Sequence, residues 1–487
     1  MKILLLLTTA LLLVLTGNAH ASDATSWRCI AEGDAALRRQ QVADQMQPRV
    51  VFDGEPADRG VVARMAAHHA SALSVAVIHN GKLDWSAAWG RLDHDGAAAD
   101  CSTLFQGGSL AKPTTLIAAL RMQQAGVISL DAEVDSMLRS YHLPKGQQRP
   151  ENPVTLRNLL RHTAGITPGG YAGYATGAAL PTTTQILLGL SPANSRAIEV
   201  VAKPNEHLSY SGGGYTLIEA ALQDRLRQPF DQLMQTWLLS PLGMRQASFV
   251  QPIPEAHRGR TAKGHLADGS PVPGGWNNHP ERAAAGLWTT PTDMATLLIE
   301  LYQASRGLSA TLDRELVEEL LADPVEGHAY GFRWLGDGDD VFLTHYGGTT
   351  GYRAGMTINL RTGNGAVYLA NSDGGSALGT EFLNSVSEVY DWTAFKTTSV
   401  KRSPKPRPVL ESLVGLYDFP DSPTVRVVLE GEDLTLVFPN QDRYALTPIE
   451  GADLAFIHPA TGVRVAFESE ADHVSLHLYG EEGRRKR

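Results

Sequence analysis

The sequence "FQGGSLAKPTTLIAAL" at residues 105–120 places a serine and a lysine three positions apart, where two glycines precede an apolar run. The pattern predicts a strand that ends at Gly107-Gly108 and a helix over about 109–125. Residues three apart share one face of a helix, so Ser109 and Lys112 become neighbours. Backbone N–H groups at a helix start are unpaired and favour negative charge, which suits a nucleophile at Ser109.

The role of Lys112 depends on its surroundings. An ordinary lysine has a pKa of about 10.4 and is almost wholly protonated at neutral pH. Lys112 acts as a general base only if burial or a nearby cation lowers its pKa to about 7–8, and the apolar run after it can supply burial. The alternatives are a charged Lys112 that polarises another base, or a surface lysine beside a serine that merely caps the helix.

Composition and charge exclude several function classes. The chain has 487 residues, of which 43% are hydrophobic and 19% charged, as is typical of a soluble globular protein with a large core. A net charge of −10 is unfavourable for nucleic-acid binding. There is no HExxH or CxxC pattern, and two cysteines alone make no metal site, so we expect no metal and no cofactor.

The N-terminal sequence "MKILLLLTTALLLVLTGNAHASD" has the features of a secretory signal peptide. Lys2 precedes an apolar run, and a small-x-small pattern ends at Ala21, which predicts a signal peptide over 1–21 and a periplasmic or secreted protein. The alternative is an uncleaved membrane anchor; no later stretch is apolar enough to span a bilayer. In an exported chain Cys29 and Cys101 are free to form a disulfide, and the sequence leaves their pairing open.

Strand and helix patterns predict the layout of the chain. Asn80-Gly81 joins two β-rich runs and indicates a hairpin. Helical patterns fill about 130–300, strand patterns return over 330–372, and a helix follows at 377–395. Strands at both ends with helices between them predict one α/β layer whose sheet joins both ends of the domain, with an inserted helical lobe.

The predicted domains follow from these patterns. After the signal peptide come an N-terminal extension over 22–59 and a mixed α/β domain over 60–395, for which the family resemblance described below implies a serine hydrolase. The Pro- and Lys-rich stretch 396–408 reads as a linker. Short alternating strands over 409–487 predict a small all-β unit, either a sandwich or a barrel.

Six segments carry a family resemblance. In chain order, they are FQGGSLAKPTTLIAAL, TLRNLLRHTAGI, LSYSGGGYTLIEAAL, LLSPLGMRQASF, AAAGLWTTPTDMATLL and THYGGTTGYRAGM. Together they resemble the serine hydrolases related to class C β-lactamases and penicillin-binding proteins. The resemblance implies an α/β (α+β) fold of the β-lactamase/transpeptidase type: an antiparallel sheet flanked by helices, an all-helical lobe, and an active site between them. The C-terminal unit resembles the lipocalin-like β-barrel domain often fused to this family.

The resemblance also implies roles for single residues. Ser109 looks like the acylated nucleophile and Lys112 its motif partner. Tyr210 in "YSG" matches the tyrosine of the family's second motif, and His345 in "HYG" the first position of the third. The oxyanion hole is then formed by the backbone N–H groups of Ser109 and Gly348.

Further positions are expected near the substrate. Gly212 and Gly347 are expected to border it, and Gly212 stands where the family usually has Asn, which disfavours β-lactams and cell-wall peptides. Tyr210 is expected to ionise more easily beside a charged Lys112, and whether Lys112 or Tyr210 is the base stays open. His162 and Trp288 are expected to be structural supports, and the loop TPGGYAGYATG either lines the substrate groove or is a plain solvent loop.

These observations predict an exported serine hydrolase that forms an acyl-enzyme at Ser109 and acts on an ester or a small (D-amino acid) peptide or amide. The expected partner is therefore a small-molecule or peptide substrate, with no nucleic acid and no membrane segment after signal cleavage. The alternatives are a β-lactamase or D,D-carboxypeptidase, and a non-catalytic binding protein. The oligomeric state and the role of the β unit stay open.

Overall fold

The computed structural model describes residues 29–55, 58–322, 324–336, 341–420, 423–439, 443–451, 454–469 and 473–486. The signal peptide expected at 1–21 lies outside these described residues.

The described chain alternates between helical and strand regions. Its helices are α1 Asp34–Asp44, α2 Val61–Ala67, α3 Ala111–Gln124, α4 Leu156–Leu160, α5 Thr183–Leu188, α6 Gly212–Leu226, α7 Phe230–Met234, α8 Ser240–Leu242, α9 Glu255–Arg258, α10 Arg282–Ala285, α11 Pro291–Ser305, α12 Arg314–Leu321, α13 Gly375–Val389 and α14 Arg407–Ser412, with a 3-10 turn at Val134–Ser136 and a π-helical turn at Gln235–Leu239. Its strands are β1 Val50–Phe52, β2 Ala72–His79, β3 Lys82–Gly90, β4 Phe105–Gly108, β5 Tyr174–Ala175, β6 Asn277–Asn278, β7 Leu287–Thr289, β8 His328–Ala329, β9 Phe332–Leu335, β10 Phe342–Thr349, β11 Tyr352–Ile358, β12 Gly365–Ala370, β13 Thr398–Val400, β14 Gly415–Asp418, β15 Val425–Glu430, β16 Asp433–Val437, β17 Arg443–Pro448, β18 Ala455–Ile457, β19 Arg464–Ser469, β20 Val474–Leu478 and β21 Glu481–Arg485.

A seven-stranded antiparallel sheet forms the centre of the domain predicted over 60–395, in the order β3-β2-β12-β11-β10-β9-β8. The hairpin predicted at Asn80-Gly81 joins β2 and β3, and both turn residues have positive φ, as a two-residue hairpin turn requires. Because the outer strands come from opposite ends of the domain, the sheet joins the two ends as the sequence predicts.

Helices cover both faces of this sheet. Alternate residues of β10 show the two sides: Leu343 packs in the cluster that contains α3 and α11, and Phe342 in the cluster with α1 and α13. Helices α4 to α9 lie in the chain between β4 and β7, and buried side chains of α4 to α7 share one apolar cluster with α3. The antiparallel sheet flanked by helices and the helical lobe are therefore present, as expected.

The N-terminal extension is bound to the rest of the molecule in three ways. Arg38 on α1 pairs with Asp84 on β3 at 2.8 Å. Cys29 and Cys101 form a disulfide, which settles a pairing that the sequence left open. Strand β1 pairs in parallel with β13, which lies in the stretch interpreted as a linker.

The C-terminal unit is a closed barrel of eight antiparallel strands, β14 to β21. Its inward side chains form a core of their own, centred on buried Tyr417, Phe456 and Phe467. A small second cluster joins the barrel to the β1–β13 pair through Val50, Val400, Ile449 and Ile457. Of the two architectures left open for this unit, the structure has the barrel.

Candidate active site

Ser109 lies in the two-residue turn between β4 and α3, because the helix begins at Ala111 rather than at the serine itself. Gly108 before it has a φ of +51°, a left-handed conformation that glycine adopts without strain. A Cβ atom on Gly108 would lie 2.8 Å from the backbone nitrogen of Gly348. The glycine therefore lets the backbone beside Ser109 lie against the end of β10.

Gly347 makes the matching contact from β10. A Cβ atom on Gly347 would lie 2.0 Å from the carbonyl oxygen of Gly107, so no side chain fits there. The pair of close approaches holds the backbones of Ser109 and Gly348 side by side, as an oxyanion hole formed by both would need. Gly347 itself packs on β4, and its contact with substrate stays a prediction.

Lys112 is buried beside Ser109. Its Nζ atom lies 3.0 Å from the Ser109 hydroxyl oxygen and 2.8 Å from the carbonyl oxygen of Ala284, and the residue is only 2% exposed. Burial lowers the pKa of Lys112 from 10.5 to about 7. A substantial fraction of the molecules thus carries a neutral amine at neutral pH, in contact with the serine hydroxyl.

Tyr210 faces the same lysine from the helical lobe. The Lys112 Nζ atom lies 4.8 Å from the centre of the Tyr210 ring, and the residue is 42% exposed, so it forms an open wall of the site. Burial of the hydroxyl raises the pKa of Tyr210 to about 12, and a hydrogen bond with Ser109 only partly opposes the rise. The expected easier ionisation is therefore wrong, because burial outweighs any help from Lys112.

His162 supports Tyr210 from behind. The two rings lie 4.4 Å apart, and the Nδ1 atom of His162 accepts a hydrogen bond from the backbone N–H of Ser211 at 3.1 Å. The residue is 1% exposed, and burial and the charge of Lys112 hold its pKa well below the usual range. His162 is thus a neutral ring that packs against the tyrosine, in line with the supporting role expected for it.

His345 closes the site on the β10 side. It is 5% exposed, and its ring centre lies 6.5 Å from that of Tyr210. Burial and the neighbouring Lys112 lower the pKa of His345 to about 3, so the ring is neutral at physiological pH. Its Nδ1 atom is buried and has no hydrogen-bond partner within the described part of the chain. The structure therefore brings Ser109, Lys112, Tyr210 and His345 together.

Gly212 lies in the first turn of α6, under the Gly/Tyr-rich loop. A Cβ atom at Gly212 would lie 3.0 Å from the Tyr171 ring and 3.1 Å from the carbonyl oxygen of Gly169. The Tyr171 hydroxyl in turn lies 2.9 Å from that of Thr216, one turn along α6. Tyr171 therefore fills the space that a side chain at position 212 would take.

Comparison with known proteins now identifies the family. A family model described as Beta-lactamase matches residues 57–383, more than half of the chain. The chain belongs to the Beta-lactamase family.

Individual members of the Beta-lactamase family are only distantly similar. Penicillin-binding protein 4 of Amycolatopsis lactamdurans is 26% identical over 201 residues, which is 41% of this chain and 50% of the relative. Esterase EstB of Burkholderia gladioli is 27% identical over 211 residues, which is 40% of this chain and 53% of the relative. The chain thus spans about half the length of these two curated relatives. Among solved structures, the octameric penicillin-binding protein homologue from Pyrococcus abyssi matches with a TM-score of 0.60 and 19% identity over 87% of this chain and 98% of that one, which is a likeness of fold.

Sequence reasoning missed residues that surround the Beta-lactamase-family motifs. Ala284 contacts Lys112 through its backbone, which no side-chain pattern reveals. Behind it lie two fully buried carboxylates, Glu219 and Glu281, and the pKa of Glu281 rises to about 8 because of burial. His279, 1% exposed, lies close by, and burial lowers its pKa to about 4. The sequence gives no signal for this group, because the burial of these polar residues is visible only in the structure.

Within the described ranges, no group of His, Cys, Asp and Glu residues has the arrangement needed to hold a metal ion. Nor does any helix of the described chain have the length and apolar character to cross a bilayer.

Proposed function

We propose that this member of the Beta-lactamase family is an exported serine hydrolase that forms an acyl-enzyme at Ser109 and acts on esters or on small peptides or amides. The observation that carries the proposal is the contact between Ser109 and a buried lysine that has no carboxylate partner among the described residues. A pKa of about 7 gives Lys112 the proton affinity that a general base needs at neutral pH.

The first step follows from this contact. The Ser109 hydroxyl gives its proton to the neutral amine of Lys112, and its oxygen attacks the carbonyl carbon of the substrate. The substrate oxygen gains the negative charge, and the backbone N–H groups of Ser109 and Gly348 stabilise it. One such donor contributes about 10²–10³ in rate in other acyl-transfer enzymes.

Tyr210 acts as a proton donor in this scheme. Its pKa of about 12 keeps the phenol protonated, so it is poorly suited to be the base. The phenol donates its proton to the oxygen of the departing alcohol and recovers one from Lys112, whose ammonium lies against its ring. Water then attacks the acyl group on Ser109 with Lys112, neutral again, as the base, and the acid is released.

The environment of Gly212 favours esters over β-lactams. Relatives of this kind usually have an asparagine here, whose amide contacts the substrate amide. In this chain Tyr171 occupies the adjoining space, so the contact has no counterpart from position 212. A simple ester lacks the amide group that this contact would bind, so it loses nothing from the change at position 212.

Export rests on two independent features. The N-terminal sequence is that of a signal peptide, and the Cys29–Cys101 disulfide belongs to an oxidising compartment. The periplasm and the extracellular space are both oxidising.

A covalent labelling experiment tests the reaction. The purified mature protein is treated with a fluorophosphonate, digested and analysed by mass spectrometry, and in parallel is assayed with p-nitrophenyl acetate and nitrocefin. We expect an adduct on Ser109 and ester turnover well above nitrocefin turnover. Ser109→Ala should abolish both, whereas Ser129→Ala, which removes an exposed serine beyond the far end of α3, should leave both unchanged. An adduct on another serine alone contradicts the proposal, and faster turnover of nitrocefin makes the protein a β-lactamase instead.

A further inference from the structure

The one-turn helix α10 presents the second acceptor of Lys112. The carbonyl oxygen of Ala284 lies 2.8 Å from Nζ, closer than the serine oxygen at 3.0 Å. α10 has only four residues, and so short a helix is unstable unless other parts of the chain hold it. The position of this carbonyl therefore depends on whatever anchors α10.

Glu219 is one of these anchors, beside the packing of Ala283 and Ala284 in the apolar core. Its carboxylate is fully buried, accepts a hydrogen bond from the backbone N–H of Ala283 at 3.0 Å, and lies 3.5 Å from the guanidinium of Arg282. The first N–H groups of any helix lack partners within the helix. The residue before α10, Glu281, makes no side-chain cap. Glu219 on α6 therefore provides the hydrogen-bond acceptor that an N-cap side chain normally provides.

Helix α6, which carries Glu219, also positions Tyr210. Tyr210 immediately precedes Ser211, the N-cap of α6, and Glu219 lies about two turns further along that helix. One rigid element thus positions the proton donor at its start and, through α10, the acceptor of Lys112. Thr183 donates a further hydrogen bond to the Glu219 carboxylate at 3.2 Å and holds it in place.

The contact has a chemical consequence for the base. A neutral lysine amine has two N–H groups and one lone pair. When Ala284 accepts one N–H, rotation about the last bond of the side chain is restricted, and the lone pair can be held towards Ser109. Without the carbonyl, the amine turns freely among orientations in which the lone pair points elsewhere.

We propose that Glu219 is a positioning residue for proton transfer from Ser109 to Lys112, acting through the backbone of α10. The inference rests on the proposed function, since it assigns Glu219 to the same acylation step. Glu219 touches neither substrate nor the reacting atoms, so its removal should lower kcat and leave KM nearly unchanged. A misplacement of about 1 Å costs about 100-fold in rate in well-oriented reactions.

The key variants are Glu219→Met and Glu219→Gln. Methionine keeps the volume but removes the acceptor, so we expect a fall of about 100-fold in kcat for p-nitrophenyl acetate, with KM within about twofold. Glutamine keeps a carbonyl oxygen for the N–H of Ala283 and should restore kcat to within about fivefold of the parent. Glu300→Met is the matched control, because Glu300 is also buried but lies on α11 and binds Ser309 and Thr311. It should leave kcat within about twofold.

Three results overturn the proposal: a Glu219→Met variant as active as Glu300→Met, a Glu219→Gln variant as impaired as Glu219→Met, or an equal change in KM and kcat. If Glu219→Met does not fold, Glu219→Asp replaces it. Aspartate retracts the carboxylate by about 1.5 Å and should also break the bond to Ala283.

A crystal structure of the variant separates this inference from the proposed function. In Glu219→Met, the distance from the Ala284 oxygen to Lys112 Nζ should exceed hydrogen-bond reach, whether or not the protein hydrolyses the chosen ester. An unmoved α10 refutes the role of Glu219, even if the parent is labelled at Ser109. A displaced α10 in a protein whose parent is never labelled there refutes the proposed function and leaves the anchoring of α10 intact.

Discussion

Replacing Lys112 with methionine should stabilise the catalytic domain at neutral pH, and the gain should shrink as the pH rises. The lysine is 2% exposed, and burial lowers its pKa from 10.5 to about 7. Between these two values the folded state binds fewer protons than the unfolded state. Stability of the parent therefore rises with pH across this window, and below pH 7 the full cost of burying the lysine applies.

The magnitude follows from the shift. The difference between 10.5 and about 7 is about 3.5 pH units, which at about 1.36 kcal/mol per unit corresponds to about 5 kcal/mol. From pH 7 to pH 9.5 the parent should gain about 3 kcal/mol in free energy of unfolding relative to Lys112→Met. The variant also leaves the carbonyl of Ala284 without its partner, which costs about 1–3 kcal/mol. That cost does not depend on pH. It therefore changes the difference in free energy of unfolding between the two proteins by a constant amount and leaves the dependence of this difference on pH unchanged.

Urea unfolding followed by tryptophan fluorescence measures this slope. All eight tryptophans lie between Trp27 and Trp392, so the signal comes from the part of the chain before the barrel. Lys82→Met, which removes an exposed lysine at the start of β3, should differ from the parent by an amount that does not vary with pH. If the Lys112→Met difference is equally flat, Lys112 keeps an ordinary pKa in the folded protein and cannot be the base.

Three further outcomes are expected. Because Lys112 must be neutral to accept a proton, kcat/KM for ester acylation should fall about tenfold per pH unit below pH 7 and should be constant above it. If kcat/KM falls in this way already below about pH 10, Lys112 is not the base with the lowered pKa. Gly347→Ala should lower kcat by at least about 100-fold, since its Cβ would lie 2.0 Å from a backbone oxygen of β4, and unchanged kinetics would show that the close approach is dispensable. Replacing Cys29 and Cys101 together with serine should lower the free energy of unfolding by about 4 kcal/mol, as the closed loop of 72 residues predicts, and an unchanged urea midpoint would contradict this.

The sequence predicted those parts of the molecule that depend on local patterns. Asn80-Gly81 marked the hairpin of the central sheet. The spacing of Ser109 and Lys112 predicted that the two side chains are neighbours, although the helix begins only at Ala111. Gly107 and Gly108 marked the end of the strand that precedes Ser109. In each case the residues that decide the geometry are neighbours in the chain or belong to a recognisable motif.

Other features depend on contacts between distant parts of the chain. Strands β1 and β13 have three residues each and pair across the whole catalytic domain, so neither shows a pattern of its own. The acceptor at Ala284 is a backbone carbonyl, which any residue type provides. The pKa of Tyr210 was misjudged because the sequence shows Lys112 as a neighbour but does not show the burial of the phenol, which raises its pKa to about 12.

The β1–β13 pair joins two segments that are made at very different times during synthesis. Val50 leaves the ribosome early, whereas its partner Thr398 follows only after nearly 350 further residues. During synthesis, β1 therefore has no partner strand until β13 has been made. The small apolar cluster of Val50, Val400, Ile449 and Ile457 forms only after the barrel has been made as well. The β1–β13 pair and its apolar cluster can therefore form only once most of the chain has been synthesised.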